Sequence, residues 1–255
     1  MPQPLTLAIA AVRTALTYAV VALYTILVGP PGIALALMFK RPNVLFQLGA
    51  GGAWLLLRTA GVWFRAEGPG HVLLDRAAVY ASNHTSNIEP PVIFLVLRGL
   101  FPRWRIIYKA SLRRLPILGR CFDIGGFVPI ERSNREQSGR AIANAARQMR
   151  DGNSFSVFVE GTRSRTRELL PFKKGGFILA IEAQAPIVPV AFVGAREAWP
   201  PGSRLIRRRT VSVRIGLPVE TTGLTYADRD WLMDEVRRRI SALIAPVGEA
   251  QSSER

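Results

Sequence analysis

The first long apolar run carries no charge from Thr14 to Phe39, 26 residues bounded by Arg13 on one side and Lys40 and Arg41 on the other. A helix needs about 20 apolar residues to cross a bilayer, so this run is of membrane length. Inside it, "GPPG" at 29–32 is expected to divide the run into two arms of unequal length, because Pro30 and Pro31 lack amide donors and disfavour helix before them. Positive charge at both ends disfavours placing Arg13 and Lys40 on opposite sides of a membrane, which points to a re-entrant or interfacial hairpin. A second uncharged run at 42–57 leads to Trp54, Arg58, Trp63 and Arg65, residue types suited to a membrane interface. The alternative for both runs is a buried pair of core helices.

After residue 66 the pattern changes to short apolar runs alternating with amphipathic ones. Strands are expected at 77–82, 125–132, 154–161, 186–195 and 210–216, where β-branched and aromatic residues cluster between turn signals. Helices are expected at 87–100, 135–150, 175–184 and about 226–244. In the second of these, Ile142, Ala145, Ala146 and Met149 recur on one face, Ser133 and Glu136 have capping-box spacing, and Gly152 would end the helix. In the last, Leu232, Val236, Ile240 and Leu243 share a face. Such alternation predicts an α/β fold with a largely parallel central sheet flanked by helices, preceded by an N-terminal membrane-associated helical hairpin. The expected division is 1–66 for the membrane-associated helices, 67–245 for the α/β domain, and 246–255 for a disordered tail.

The net charge of +16 comes from 34 basic against 18 acidic residues, with lysine only at 40, 109, 173 and 174. It calls for an anionic partner: lipid head groups, phosphorylated substrates or nucleic acid. Helix-turn-helix, zinc-finger and stacking-platform signatures are missing from the sequence, which sets nucleic acid aside as a partner. The single cysteine, Cys121, cannot form an internal disulfide, and with two histidines it falls short of a usual zinc set. A reducing compartment and no metal are expected.

Five polar or proline-bearing windows remain as candidates for chemistry. In "SNHTSNIEPP" at 82–91, His84 could take a proton from a hydroxyl as it attacks, and Glu89 could orient the imidazole. The bland alternative is a capping box of Ser86 and Glu89 beside an exposed loop histidine. In "FVEGTRSRTR" at 158–167, a glycine after a strand admits close backbone approach and an arginine can grip a phosphate with two bonds; the alternative is a solvated loop. Arg132 ends "GGFVPIER" and could add a cation, or be a surface residue. Lys109, in "YKASLRRLPILG", could bind phosphate or lie along the surface. "APIVPVAFVG" holds no reactive group and reads as a wall.

In this order the windows resemble the glycerolipid acyltransferases of the 1-acylglycerol-3-phosphate O-acyltransferase type. "NHTSNIE" matches their N-H-x-x-x-x-D block, "GGFVPIER" the second, "FVEGTRSR" the E-G-T-R-S block and "VPVAFVG" the fourth, while "FKKGGF" at 172–177 resembles the segment after the third. The resemblance spans about residues 80–195. It implies acyl transfer from acyl-CoA or acyl-carrier protein to the free hydroxyl of lysophosphatidic acid, giving phosphatidic acid, without a cofactor. It implies His84 as general base and Glu89 as its acidic partner. Substrate contacts are implied for Asn83, Lys109, Arg132, Glu160, Gly161, Thr162 and Arg163. The partners implied are the bilayer, the lysophospholipid and the acyl thioester, possible acyl-carrier protein included, with the active site on the cytoplasmic side of the membrane. One departure stands out: position 89 is glutamate where the family usually has aspartate. Glycerol-3-phosphate or another lysolipid is the alternative acceptor, and a non-enzymatic basic membrane- or nucleic-acid-binding protein is the remote alternative.

Overall fold

The computed structural model describes residues 3–245, so the expected tail at 246–255 lies outside the described residues. Two helices come first, α1 (Gln3–Met38) and α2 (Asn43–Ala60). The α/β part follows as β1 (Val62–Glu67), β2 (Val79–Ser82), α3 (Glu89–Val96), β3 (Trp104–Lys109), α4 (Pro116–Ile124), β4 (Val128–Ile130), α5 (Arg135–Arg150) and β5 (Ser154–Phe158). It closes with α6 (Gly175–Ala183), β6 (Ile187–Val193), α7 (Ala195–Ala198), β7 (Arg209–Ile215) and α8 (Arg229–Ile244).

The seven strands form one sheet in the order β1-β7-β6-β2-β5-β3-β4. Five run parallel, while β7 is antiparallel to β6 and β1 is parallel to β7. The expected, largely parallel α/β architecture is therefore present. Its sheet begins at Val62 rather than after residue 66, since Val62–Glu67 pairs with β7. One face of the sheet packs Tyr80, Trp104, Val190 and Val213 against Phe46, Leu57 and Ile93 of α2 and α3. On the other, Val79, Ala81, Phe155 and Ile187 meet Ile142 of α5, Phe177 and Leu179 of α6, and Leu232, Val236 and Ile240 of α8. Both faces are thus covered, as parallel strands of apolar composition require.

The hairpin forms, but its turn is not at "GPPG". Helix α1 runs unbroken through Pro30 and Pro31, and the chain reverses at residues 39–42, where Lys40 takes φ 52°. An interior proline costs a helix about 3 kcal/mol, yet its fixed φ is already helical. Packing along α2 on both sides of the pair offsets that cost: the Tyr24 hydroxyl donates to the Leu48 carbonyl at 2.8 Å, and a Cβ on Gly32 would come within 2.5 Å of Leu48. Helix α5 starts one residue later than its expected capping box. Asn134 accepts the Gln137 N–H at 2.9 Å, while Ser133 turns to Glu131 and Glu136 to Arg140. The apolar stripe Ala145, Ala146 and Met149 is buried as its spacing predicts.

Helix α1 is tied to the α/β domain at three places along its length. Thr14 and Arg13 bond the backbone of Ile206, with Thr14 Oγ1 accepting its N–H at 3.0 Å and Arg13 donating to its carbonyl at 3.1 Å. The Tyr18 ring lies 5.9 Å from Trp199. Gly29 sits against the Ile117 side chain of α4 so closely that a Cβ would collide with it. Residues 14 and 29 are about 22 Å apart at 1.5 Å per residue. The helix therefore lies lengthwise on the domain.

Candidate active site

Every polar window of the sequence lands at one edge of the sheet, where β2, β5, β3 and β4 end. The register fixes this: Ser82 pairs with Phe158, Ser156 with Ile106, and Lys109 with Ile130. Residues just beyond these strands are His84, the 160–163 loop, Lys109 and Arg132. With strands about 4.8 Å apart, β2 to β4 covers about 14 Å. Parallel sheets collect their sites at this edge because helices begin there.

His84 is held from several sides. Its N–H donates to Glu160 Oε1 at 2.7 Å and its carbonyl accepts the Ser164 N–H at 2.7 Å. Its ring stacks on Phe158, with centroids 3.9 Å apart and planes 21° from parallel. Nδ1 lies 2.5 Å from Glu89 Oε2, and the two side chains are 14% and 0% exposed. The Glu89 carboxylate also accepts the Thr85 N–H at 2.9 and 3.1 Å and the Thr85 hydroxyl at 2.8 Å. A carboxylate oxygen accepts, so the contact orients Nδ1–H towards Glu89 and turns Nε2 away from it. The longer glutamate arm closes the contact across the five-residue offset.

The capping-box alternative fails on the same atoms. Ser86 Oγ donates to the Trp199 carbonyl at 2.8 Å and accepts the Ile88 N–H at 3.2 Å, leaving Glu89 to His84 and Thr85. Glu89 is the first residue of α3, with Pro90 and Pro91 in the first turn, where missing amide donors cost nothing.

Asn83 and Glu160 were expected to touch substrate, and the structure turns both inward. Asn83 is 2% exposed; its Oδ1 accepts the Phe192 N–H at 2.7 Å and its Nδ2 donates to the Phe192 carbonyl at 3.1 Å, joining β2 to β6. Glu160 is 1% exposed, with Oε2 accepting the Leu170 N–H at 2.8 Å. Burial pushes its carboxyl above the usual range, against the pull of the two N–H bonds from Leu170 and His84. Both side chains are spent on backbone and support His84. Gly161 takes φ 69°, a left-handed turn that suits glycine. Thr162 is exposed, Arg163 half-buried, and Lys109 and Arg132 are exposed.

Four supports escaped sequence reasoning. Ser164, fully buried, clasps the loop through the Glu168 carbonyl at 2.9 Å, and Arg196 donates to the Ser164 carbonyl at 3.3 Å. Arg237 of α8 donates to the carbonyls of Leu169 and Leu170 at 2.9 and 2.8 Å and covers the Phe172 ring. Trp199 offers its carbonyl to Ser86 and to the Asn87 N–H. Only Ser164 lay inside a quoted block; the others are brought in by tertiary contacts.

The family model described as Acyltransferase matches residues 64–193, about half the chain and all of this edge. The chain belongs to the acyltransferase family. Among its relatives is the 1-acyl-sn-glycerol-3-phosphate acyltransferase of Limnanthes douglasii, 30% identical over 213 residues, covering 80% of this chain and 70% of the relative. The human 1-acyl-sn-glycerol-3-phosphate acyltransferase beta is 33% identical over 182 residues, covering 70% and 63%. In fold the acyltransferase is similar to the 1-acyl-sn-glycerophosphate acyltransferase PlsC of Thermotoga maritima, with a TM-score of 0.76, 21% identity, and coverage of 93% and 98%. That likeness includes the α/β sheet; the family match and the relatives, all acyltransferases, set aside the remote reading as a non-enzymatic basic protein.

Proposed function

We propose that this acyltransferase transfers a fatty acyl group from an acyl thioester, acyl-CoA or acyl-carrier protein, to the free hydroxyl of lysophosphatidic acid, giving phosphatidic acid. The observation that carries this reading is the His84 imidazole, locked between Phe158 and Glu89 with no hydrogen bond to Nε2 among the described residues, at a sheet edge that also bears Arg163, Lys109 and Arg132. The names of the relatives support the acceptor.

Nε2 of His84 takes the acceptor's hydroxyl proton while the oxygen attacks the thioester carbonyl. The tetrahedral intermediate collapses by breaking the carbon–sulfur bond, and the imidazolium returns its proton to the departing sulfur. Glu89 holds the tautomer and stabilises the imidazolium. Arg163, Lys109 and Arg132 have no ion pair among the described residues and are the cations free to hold the acceptor phosphate in attacking geometry. Thr162 and the Gly161 backbone border the same anion.

Attachment to the membrane belongs to the same reading. Val12, Leu16, Leu23, Ile26, Leu27 and Met38 are all more than half exposed on α1. Because α1 lies along the domain, its apolar outer face meets a bilayer in the plane, as an interfacial hairpin does, at the cytoplasmic surface where thioester donors are made available. Purified protein given a labelled acyl thioester and a panel of glycerol-3-phosphate, lysophosphatidic acid and zwitterionic lysolipids is expected to yield phosphatidic acid as the dominant product. A dominant product from another acceptor would reject the assignment.

A further inference from the structure

We infer that the segment 110–120, which leaves the active-site strand at Lys109, is a second membrane-docking element that inserts leucines into an anionic bilayer beside the site. This rests on the in-plane attachment of α1 and α2 proposed above and adds a surface that the hairpin does not include.

Between β3 and α4 the chain makes a short 3₁₀ turn, Ala110–Arg114, and then enters α4 at Pro116. Its apolar side chains face outward: Leu112 is 42% exposed, Leu115 44% and Leu118 41%. A soluble surface has no reason to gather three leucines within seven residues of one turn. The shape is built in, because Gly119 is buried against the Arg113 backbone so closely that any Cβ would collide with it. The turn is therefore folded back onto α4 as a fixed blade.

Two observations name the occupant. First, Ile117, flanked by these leucines, packs on Gly29 of α1, and Ile26, one helical turn before Gly29, is 61% exposed. The leucines thus continue the apolar outer face of α1 and share its medium. Second, the segment carries Arg113, Arg114 and Arg120 and follows directly on Lys109, with no acidic residue until Asp123, which pairs with Arg113 at 3.0 Å. Among the described residues, Lys109, Arg114 and Arg120 have no acidic partner. Leucines ringed by guanidinium groups on snorkelling stems suit the boundary between acyl chains and anionic head groups. A bilayer seated there would bring its head groups level with Lys109, the cation that opens on the site.

The test places an environment-sensitive fluorophore on single cysteines in a Cys121→Ser background of the full chain. Leu112→Cys and Leu118→Cys report the segment, Leu27→Cys reports α1, and Leu217→Cys, at the opposite edge of the sheet, is the control. On adding vesicles of equimolar phosphatidylcholine and phosphatidylglycerol, labels at 112, 118 and 27 are expected to shift to the blue and brighten severalfold, with 217 unchanged. A shift at 27 with none at 112 and 118 overturns this inference alone. No shift at 27 removes the in-plane attachment on which it stands, and a shift at 217 equal to the others makes the response non-specific and overturns it as well.

Discussion

His84→Ala lowers turnover by about 10²- to 10⁴-fold, the range for losing a positioned general base, while the protein stays folded. The imidazole is small, 14% exposed on its side chain, and among the described residues its polar and ring contacts are the Phe158 stack and the Glu89 contact. Its backbone bonds to Glu160 and Ser164 do not depend on the side chain. The loss should therefore fall on kcat, with far-ultraviolet circular dichroism and the acceptor KM near those of the parent. Turnover within a few-fold of the parent would mean that another group takes the proton.

Glu160→Gln is expected to fail for a different reason. A carboxylate offers two acceptor oxygens, and here each receives one backbone N–H, from His84 at 2.7 Å and from Leu170 at 2.8 Å. Glutamine has one acceptor; its NH₂ must face one of those donors inside a site 1% exposed. A buried polar group left unsatisfied costs about 1–3 kcal/mol, and each kcal/mol lowers Tm by about 2–4 °C in a chain of this size class. The His84 loop shifts with it, and a misplacement of about 1 Å can cost about 10²-fold in rate. Thermal melting and kcat/KM should therefore fall together. An unchanged Tm with a raised acceptor KM would instead mark Glu160 as a substrate ligand.

How much of this was legible in sequence follows from the kind of interaction involved. The central strands and α5, α6 and α8 were readable because their apolar periodicity is imposed by burial, as at Ile142, Ala145 and Met149. The order of blocks placed His84, Arg163, Lys109 and Arg132 at one edge because a parallel sheet collects its strand ends there. Strands β1 and β3 were not readable: Trp63 and Arg65 look interfacial, and β3 carries arginine and lysine among its apolar residues. The prolines of α1 misled because local propensity was overridden by packing on α2. Asn83 and Glu160 sit inside functional blocks yet act on backbone, a distinction that only the partners of each oxygen and nitrogen reveal. Arg237 and Trp199 reach the site across the fold from 67 or more positions away.

The pairing of His84 with Glu89 is the centre of this account, and a double-mutant cycle tests it most directly. Glu89→Gln keeps an acceptor for Thr85 but removes the carboxylate charge that faces Nδ1, and it should slow turnover markedly in the otherwise unchanged protein. If the two residues act as one unit, adding Glu89→Gln to His84→Ala costs almost nothing further, since effects within a catalytic unit do not multiply. A double mutant whose loss is the product of the two single losses would contradict the dyad.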